Sequence, residues 1–193
     1  MSRIVGLVLA AGSGSRLGTP KALVELAGER LVDRAVRTLR DGGCAHVTVV
    51  LGAAQVEVPD ATVVHNPDWA TGMGSSLRVG LAALPSDADA VVISLVDQPL
   101  IGPDVVARLI EAHAAGAPVA VATYAGKRRN PALFARSTWA DAAASAVGDQ
   151  GARAYFAAHP ETVTAVPCDD LGDPVDIDTR EDLARFLDQS APE

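Results

Sequence analysis

Short apolar, β-branched runs alternate along this chain with longer segments of helical period, and that alternation is how a parallel sheet joined by crossover helices reads in sequence. Residues 4–9, 47–51, 62–65, 90–95, 119–123, 132–134 and 162–166 have strand character. Leu31, Val32, Ala35, Val36 and Leu39 make one apolar helical face that ends at Gly42 and Gly43. Leu77, Leu81 and Leu84 make a second, in a helix expected to start near Ser75, and a third helix opens at Pro103 or Asp104. Residues 124–131 read as a basic turn, and the short strand after it is open to antiparallel pairing. Residues 138–158 are expected to be helical with breaks around Gly148 and Gly151. Thr179 with Asp182 three residues on matches a helix-start capping pattern, so a final helix runs to about Gln189 and leaves 190–193 as a tail. With 49% hydrophobic residues in 193 and no repeat or long polar linker, the expectation is one α/β domain spanning 1–193.

Charge and cysteine content narrow the partners. Sixteen basic and 24 acidic residues leave a formal charge of −8, so nucleic acid is not an expected partner. Cys44 and Cys168 lie far apart and outside any metal-ligand spacing, which suits a reducing cytoplasm. The first apolar run, residues 4–11, is interrupted by Gly6 and is too short to span a bilayer, and no signal-peptide cleavage pattern follows it. A soluble, cytoplasmic protein without membrane contact is therefore expected.

The first strand runs into Leu9-Ala10-Ala11-Gly12-Ser13-Gly14-Ser15-Arg16-Leu17-Gly18-Thr19-Pro20-Lys21, where three glycines permit tight turns and expose backbone amides to an anion. A dinucleotide fingerprint needs glycine where Leu17 stands, and the second strand ends at Leu51-Gly52 without an acidic residue to hold a ribose. A Walker A loop is equally disfavoured, because Thr19 and Pro20 separate Gly18 from Lys21. What remains is a loop carrying two cations, Arg16 and Lys21, in an acidic protein. Two unit negative charges about 4 Å apart repel by roughly 4 kcal/mol at an effective dielectric near 20, so adjacent phosphates need fixed positive charge or metal. Isolated, such a basic pair is more simply a solvated turn; its place after a strand favours phosphate.

Ligands of open α/β sheets gather beyond the carboxyl ends of the strands, where both this loop and Asp97 are expected. Magnesium on a triphosphate takes one or two carboxylates plus phosphate and water oxygens, with Asp97 as the first candidate ligand. Asp176 and Asp178 flank Ile177, so an extended backbone points both to one face, and Asp178 is the second candidate. Taken singly, Asp97 is as readily a turn or capping residue before Pro99, and Asp178 a cap of the last helix.

Beyond the loop, the segments Asn66-Pro67-Asp68-Trp69, Gly72-Met73-Gly74-Ser75-Ser76-Leu77-Arg78, Asp97-Gln98-Pro99-Leu100, Gly148-Asp149-Gln150-Gly151-Ala152-Arg153 and Asp176-Ile177-Asp178-Thr179 complete a pattern. Over nearly its whole length the chain resembles the nucleotidyltransferases of molybdenum-cofactor maturation, in particular the molybdenum cofactor cytidylyltransferases. That resemblance implies a Rossmann-like nucleotidyltransferase fold, a three-layer α/β/α sandwich with a mostly parallel sheet. It also implies a magnesium-dependent reaction in which the phosphate of molybdopterin attacks the α-phosphate of CTP and releases pyrophosphate. Carried over residue by residue, Leu9, Ala10, Ala11, Gly12, Ser13 and Gly14 contact the nucleotide, Arg16 and Lys21 hold its phosphates, Gly74 and Ser75 approach base or ribose, and Asp97 and Asp178 bind metal. Arg16, Lys21 and Asp97 would be the catalytic set. Arg128, Asn130, Asp149 and Arg153 would line the acceptor side, and a molybdenum hydroxylase apo-enzyme would be a downstream partner of a monomeric transferase. Relatives commonly carry histidine where Asn130 stands, which bears on the acceptor. Lys127, Arg128 and Arg129 are read equally as a solvated basic turn. The competing expectations are a guanylyltransferase or other NTP transferase with a different phosphorylated acceptor, and a nucleotide-binding cofactor chaperone without chemistry.

A phosphate monoester has its second pKa at roughly 6, so the attacking oxygen is already deprotonated at neutral pH and no general base is needed. His46, His65, His113 and His159 accordingly fall in strand or helix positions read as structural. Catalysis would rest on in-line positioning and charge neutralisation. Replacing Arg16 or Lys21 by alanine is expected to lower turnover with the fold intact by circular dichroism; near-wild-type activity in both variants would remove the phosphate assignment.

Overall fold

The structure, a computed structural model, describes residues 2–189; the tail expected at 190–193 lies outside the described residues. Its strands are β1 (Ile4–Ala10), β2 (Glu25–Leu26), β3 (Glu29–Arg30), β4 (Val47–Leu51), β5 (Thr62–His65), β6 (Ala90–Leu95), β7 (Val119–Tyr124), β8 (Lys127–Ala135) and β9 (Val163–Pro167). The helices are α1 (Leu31–Asp41), α2 (Met73–Ala82), α3 (Pro103–Ala114), α4 (Trp139–Ser145), α5 (Arg153–Ala158) and α6 (Arg180–Gln189). Seven strands form one sheet in the order β5-β4-β1-β6-β8-β7-β9, while β2 and β3 pair separately. Every pairing in the large sheet is parallel except those of β8, which runs antiparallel to both β6 and β7.

Alternation along β1 decides how the layers form. Ile4, Val8 and Ala10 enter one apolar cluster with Leu31, Val36 and Leu39 of α1, Leu109 of α3 and Phe186 of α6. Val5, Leu7 and Leu9 enter the other, with Leu77 and Leu81 of α2, Ala142 of α4 and Tyr155 of α5. The strand is buried on both faces, which is why it reads as a continuous apolar run. Gly6 interrupts that run because α1 comes too close: a Cβ there would sit 2.8 Å from Leu39 Cδ1. Leu39 is fully buried as a result, a contribution of about 1.5–3 kcal/mol. The sequence therefore yields the expected three-layer α/β/α sandwich.

Two local expectations are corrected. The basic stretch at 124–131 is mostly strand: the turn is confined to Ala125 and Gly126, both at positive φ, and β8 begins at Lys127. Its partner β6 pairs only with residues Ala132 to Ala135, so the charged half of β8 projects past the end of β6 into solvent and carries no apolar period to read. Helix α2 starts at Met73, two residues before Ser75, and takes Gly74 into its first turn. Among the described residues no helix is long and apolar enough to cross a membrane.

The segment entering α6 is pinned at both ends. Ile177 is fully buried, and its N–H donates to the Asp97 carbonyl at 2.9 Å. Asp182 Oδ2 accepts from the Thr179 N–H at 2.9 Å, the Thr179 hydroxyl at 2.8 Å and the Asp178 N–H at 3.2 Å, while the Asp182 N–H donates back to Thr179 Oγ1 at 3.1 Å. This is the reciprocal cap that the Thr179–Asp182 spacing predicts. The Thr179 hydroxyl, helped by the two amides, holds the Asp182 carboxyl below the usual carboxylate range. A lowered folded pKa contributes stability that is complete above the unfolded value near 3.9 and is lost as pH falls through the folded one. Asp182→Ala is thus expected to lower the melting temperature by about 2–4 °C at neutral pH. The difference from wild type should shrink below about pH 4 in a pH series of thermal melts; a difference independent of pH would show that the charged cap is not the cause.

Candidate active site

Parallel pairing of β1 with β6, in register Leu9↔Leu95, brings the glycine loop and Asp97 out at the same edge of the sheet. The Val96 N–H donates to the Leu9 carbonyl at 3.3 Å and extends that register one residue further. Between the loop, the start of α2 and the end of β6 lies a cavity of about 530 Å³, into which Ala10 to Ser13, Ser15, Lys21, Trp69, Gly72, Met73, Ser76, Asp97 and Asp149 face, with Leu9 in its wall. The volume suits a nucleotide.

Inside the loop, the Gly14 carbonyl accepts from the Leu17 N–H at 2.8 Å and the Gly18 N–H at 2.9 Å. Gly14 has φ +60°, and a Cβ on it would fall 2.0 Å from the Thr19 carbonyl oxygen, so only glycine closes this turn. Its role is to shape the loop; it does not line the cavity. Gly12 has open space where a side chain would be, on the cavity side. From α6, Arg180 Nε donates to the Leu17 carbonyl at 3.2 Å and ties the loop to the C-terminal segment.

The charged centre of the site is a lysine between two carboxylates. Lys21 Nζ donates to Asp97 Oδ2 and to Asp178 Oδ1, each at 2.5 Å, so the two aspartates singled out as metal ligands meet in space. Burial alone would pull the Lys21 ammonium down, but the charge of Asp97 and the hydrogen bonds that the ammonium donates to Asp178 and Asp97 outweigh it and hold the pKa above the ordinary lysine value. Arg16 Nη2 stands 3.7 Å from the same Asp178 oxygen with its side chain 69% exposed, at the rim of the site. Asp97 Oδ1 is buried and has no hydrogen-bond partner. No group of three or more His, Cys, Asp or Glu suited to a metal occurs among the described residues. A pair suffices for magnesium when a triphosphate supplies further oxygens, and the unpartnered Asp97 oxygen fits a ligand of such an ion.

Two residues assigned to base or ribose are placed elsewhere. Gly74 packs its backbone against α4's end, where a Cβ would lie 2.8 Å from the Ala146 carbonyl carbon and oxygen. Ser75 is buried; its Oγ accepts from Asn66 Nδ2 at 2.8 Å and lies 2.9 Å from the Gly72 carbonyl. Both are packing positions because the helix begins earlier than its sequence pattern suggests, which turns Gly72, Met73 and Ser76 to the cavity instead. Asn66 is the brace: Nδ2 also donates to Ser76 Oγ at 3.0 Å, and Oδ1 accepts from the Asp68 N–H at 3.0 Å. It thereby sets Trp69 and Ser76 at the wall, a role foreshadowed only by the Asn66 to Trp69 segment itself.

A second cavity of about 550 Å³ shares Met73, Leu95 and Asp149 with the first. Asn130, Asp149 and Arg153 line it as the acceptor assignment requires, together with Gln98, Gln150, Phe156 and Asp176. Arg128 does not. Arg129, its neighbour, lines the cavity in its place, while Arg128 Nη1 lies 3.5 Å from the Phe156 carbonyl. Asp176 is separated from Asp178 in role: its Oδ1 accepts from Gln98 Nε2 at 2.8 Å. Burial and the nearby Asp97 charge raise the Asp176 pKa against that hydrogen bond.

Comparison with known proteins agrees with this geometry. Residues 6–163 match the MobA-like NTP transferase domain. The Nicotine blue oxidoreductase of Paenarthrobacter nicotinovorans is 35% identical over 198 residues, covering 95% of this chain and 96% of that protein. Among solved structures, a homologue of Mycobacterium tuberculosis Rv0371c from Mycobacterium sp. strain JC1 has 33% identity and a TM-score of 0.84, covering 97% of this chain and 96% of that one. Rv0371c of M. tuberculosis itself, solved in complex with manganese, has 28% identity and a TM-score of 0.74 over 97% of this chain and 98% of that one. A glycine loop and Asp97 lining one cavity, Asp178 joined to Asp97 through Lys21, this sheet order and this match mean that the chain belongs to the MobA-like NTP transferase family.

Proposed function

We propose that this protein transfers CMP from CTP to the phosphate of a molybdopterin-type acceptor. Nucleotidyl transfer onto a phosphorylated acceptor is the activity that family membership supports in general; the base and the acceptor come from the resemblance of the motifs. The observation that carries the reading is Lys21 held between Asp97 and Asp178 beside the glycine loop that lines the cavity.

In the reaction, an acceptor phosphate oxygen forms a new bond to the α-phosphorus as the bond from that phosphorus to the α–β bridging oxygen breaks, and pyrophosphate leaves with the electron pair. Gly12, Ser13 and Lys21 line the cavity and Arg16 stands beside Asp178 at its rim, so loop amides and two cations would meet the phosphates. Arg129 and Arg153 in the adjoining cavity orient the acceptor phosphate, and the shared wall at Met73 and Asp149 lets the two substrates meet. Asp97 and Asp178 would hold a divalent ion, which when bound neutralises charge on the α-phosphate and the departing pyrophosphate. The acceptor oxygen is ionised at neutral pH, so no side chain has to take its proton.

The similarity to a protein named Nicotine blue oxidoreductase, over 95% of this chain, favours a second reading, an oxidoreductase. Against it stand Leu17 at a fingerprint glycine position and the end of β4 in Leu51-Gly52, without an acid for a ribose. Pyrophosphate release measured with CTP and with GTP, magnesium present, with and without molybdopterin, separates these outcomes. Release with CTP that depends on molybdopterin is expected. Preference for GTP would reassign the base, nucleotide binding without release would indicate a chaperone, and oxidation of a reduced nicotinamide without release would favour the redox reading. Asp97→Asn should cut turnover by about 10²–10³, and an unchanged magnesium titration would remove Asp97 as a ligand. Gly14→Ala should weaken CTP binding at least tenfold in calorimetry with the fold retained, since the loop must open to accept a Cβ; unchanged affinity would separate the loop from the phosphates.

A further inference from the structure

The position of Lys21 has a consequence for how a cation enters the site. Its ammonium reaches one oxygen of Asp97 and one of Asp178 at the same 2.5 Å, and so stands in the place of an ion shared by the two carboxylates. The substitution is incomplete in one respect: Asp97 Oδ1 remains buried and unpartnered. The group is also well sheltered, with the Lys21 side chain 19% exposed and that of Asp97 17% exposed. A single positive charge on a flexible four-carbon stem, anchored at the first residue of the turn Lys21–Leu23, is a removable occupant. Lys21 also lines the nucleotide cavity beside the loop amides, so an entering triphosphate offers its ammonium an alternative set of anionic oxygens.

We propose that Lys21 is an internal counter-ion that blocks the divalent-ion site of the nucleotide-free protein, so that the ion enters only with the triphosphate that draws the ammonium away. This rests on the nucleotidyl-transfer reading for its biological meaning, but not for its test. Ammonium and divalent ion exclude one another because both would sit between the same two carboxylates, Asp97 and Asp178, where two positive charges repel. Linkage then requires that the nucleotide raise ion affinity and the ion raise nucleotide affinity by the same factor. A lysine serving only to neutralise and brace the aspartates makes the opposite forecast, because its loss would loosen the carboxylates and leave ion binding no stronger.

The test is manganese binding to the full chain without nucleotide, followed by the electron paramagnetic resonance signal of free Mn²⁺. Wild type and Lys21→Arg, which keeps the positive charge, are expected to bind weakly. Lys21→Met is expected to bind at least tenfold more tightly, and the gain should vanish in Lys21→Met combined with Asp97→Asn. Binding by Lys21→Met no tighter than wild type would overturn the proposal, as would a gain that survives removal of the Asp97 charge. Lys21→Gln, polar and neutral, carries the same expectation and replaces Lys21→Met if the latter does not fold. Because no nucleotide is present, a protein that releases no pyrophosphate with any triphosphate would refute the transferase reading and leave this result standing.

Discussion

Three side chains from distant parts of the chain share one charge balance at the carboxyl edge of the sheet, and the rest of the site is arranged around it. Asp97 arrives there because β6 lies beside β1 in parallel register. Asp178 arrives because Ile177 plugs into the core and bonds the Asp97 backbone. Lys21 arrives because the glycine loop turns back across the end of β1, with Gly14 closing the bend. Two carboxylates brought this close without a cation would repel, so the positive charge between them relieves that repulsion in the folded protein as well as standing ready for the chemistry.

The surrounding polar network is structural in its details and functional in its outcome. Asn66 is buried and spends its amide on Ser75, Ser76 and the Asp68 backbone. None of those bonds touches a substrate position directly, yet together they fix where Trp69 and Ser76 stand on the cavity wall. The same logic separates Gly14 from Gly12: one is required by backbone geometry, the other leaves open space for a ligand. Two adjoining cavities share Met73, Leu95 and Asp149 as a common boundary.

Much of the architecture was legible because it is local. Apolar alternation and helical spacing marked the strands and helices, and Thr179 with Asp182 marked the start of α6. The antiparallel β8 was half hidden, since its charged half extends beyond β6 and shows no buried period. Loop glycines, Lys21, Asp97 and Asp178 were identifiable as a set from residue type and position. Gly74, Ser75 and Arg128 lie off the cavity walls; for Gly74 and Ser75 the reason is that the face of a helix turn that meets a cavity depends on a start point known from sequence only to within a residue or two.

Sequence by itself determined the α/β layering, the glycine-rich loop after the first strand with its two cations, and the candidate pair Asp97 and Asp178, because each follows from periodicity or from residue type. Only the tertiary structure decided that Lys21 occupies the space between those acids, that Ser76 and Trp69 face the first cavity, and that Arg129 faces the second. Those are statements about directions of side chains separated by tens of residues. They are settled by strand register and core packing, which no local pattern encodes.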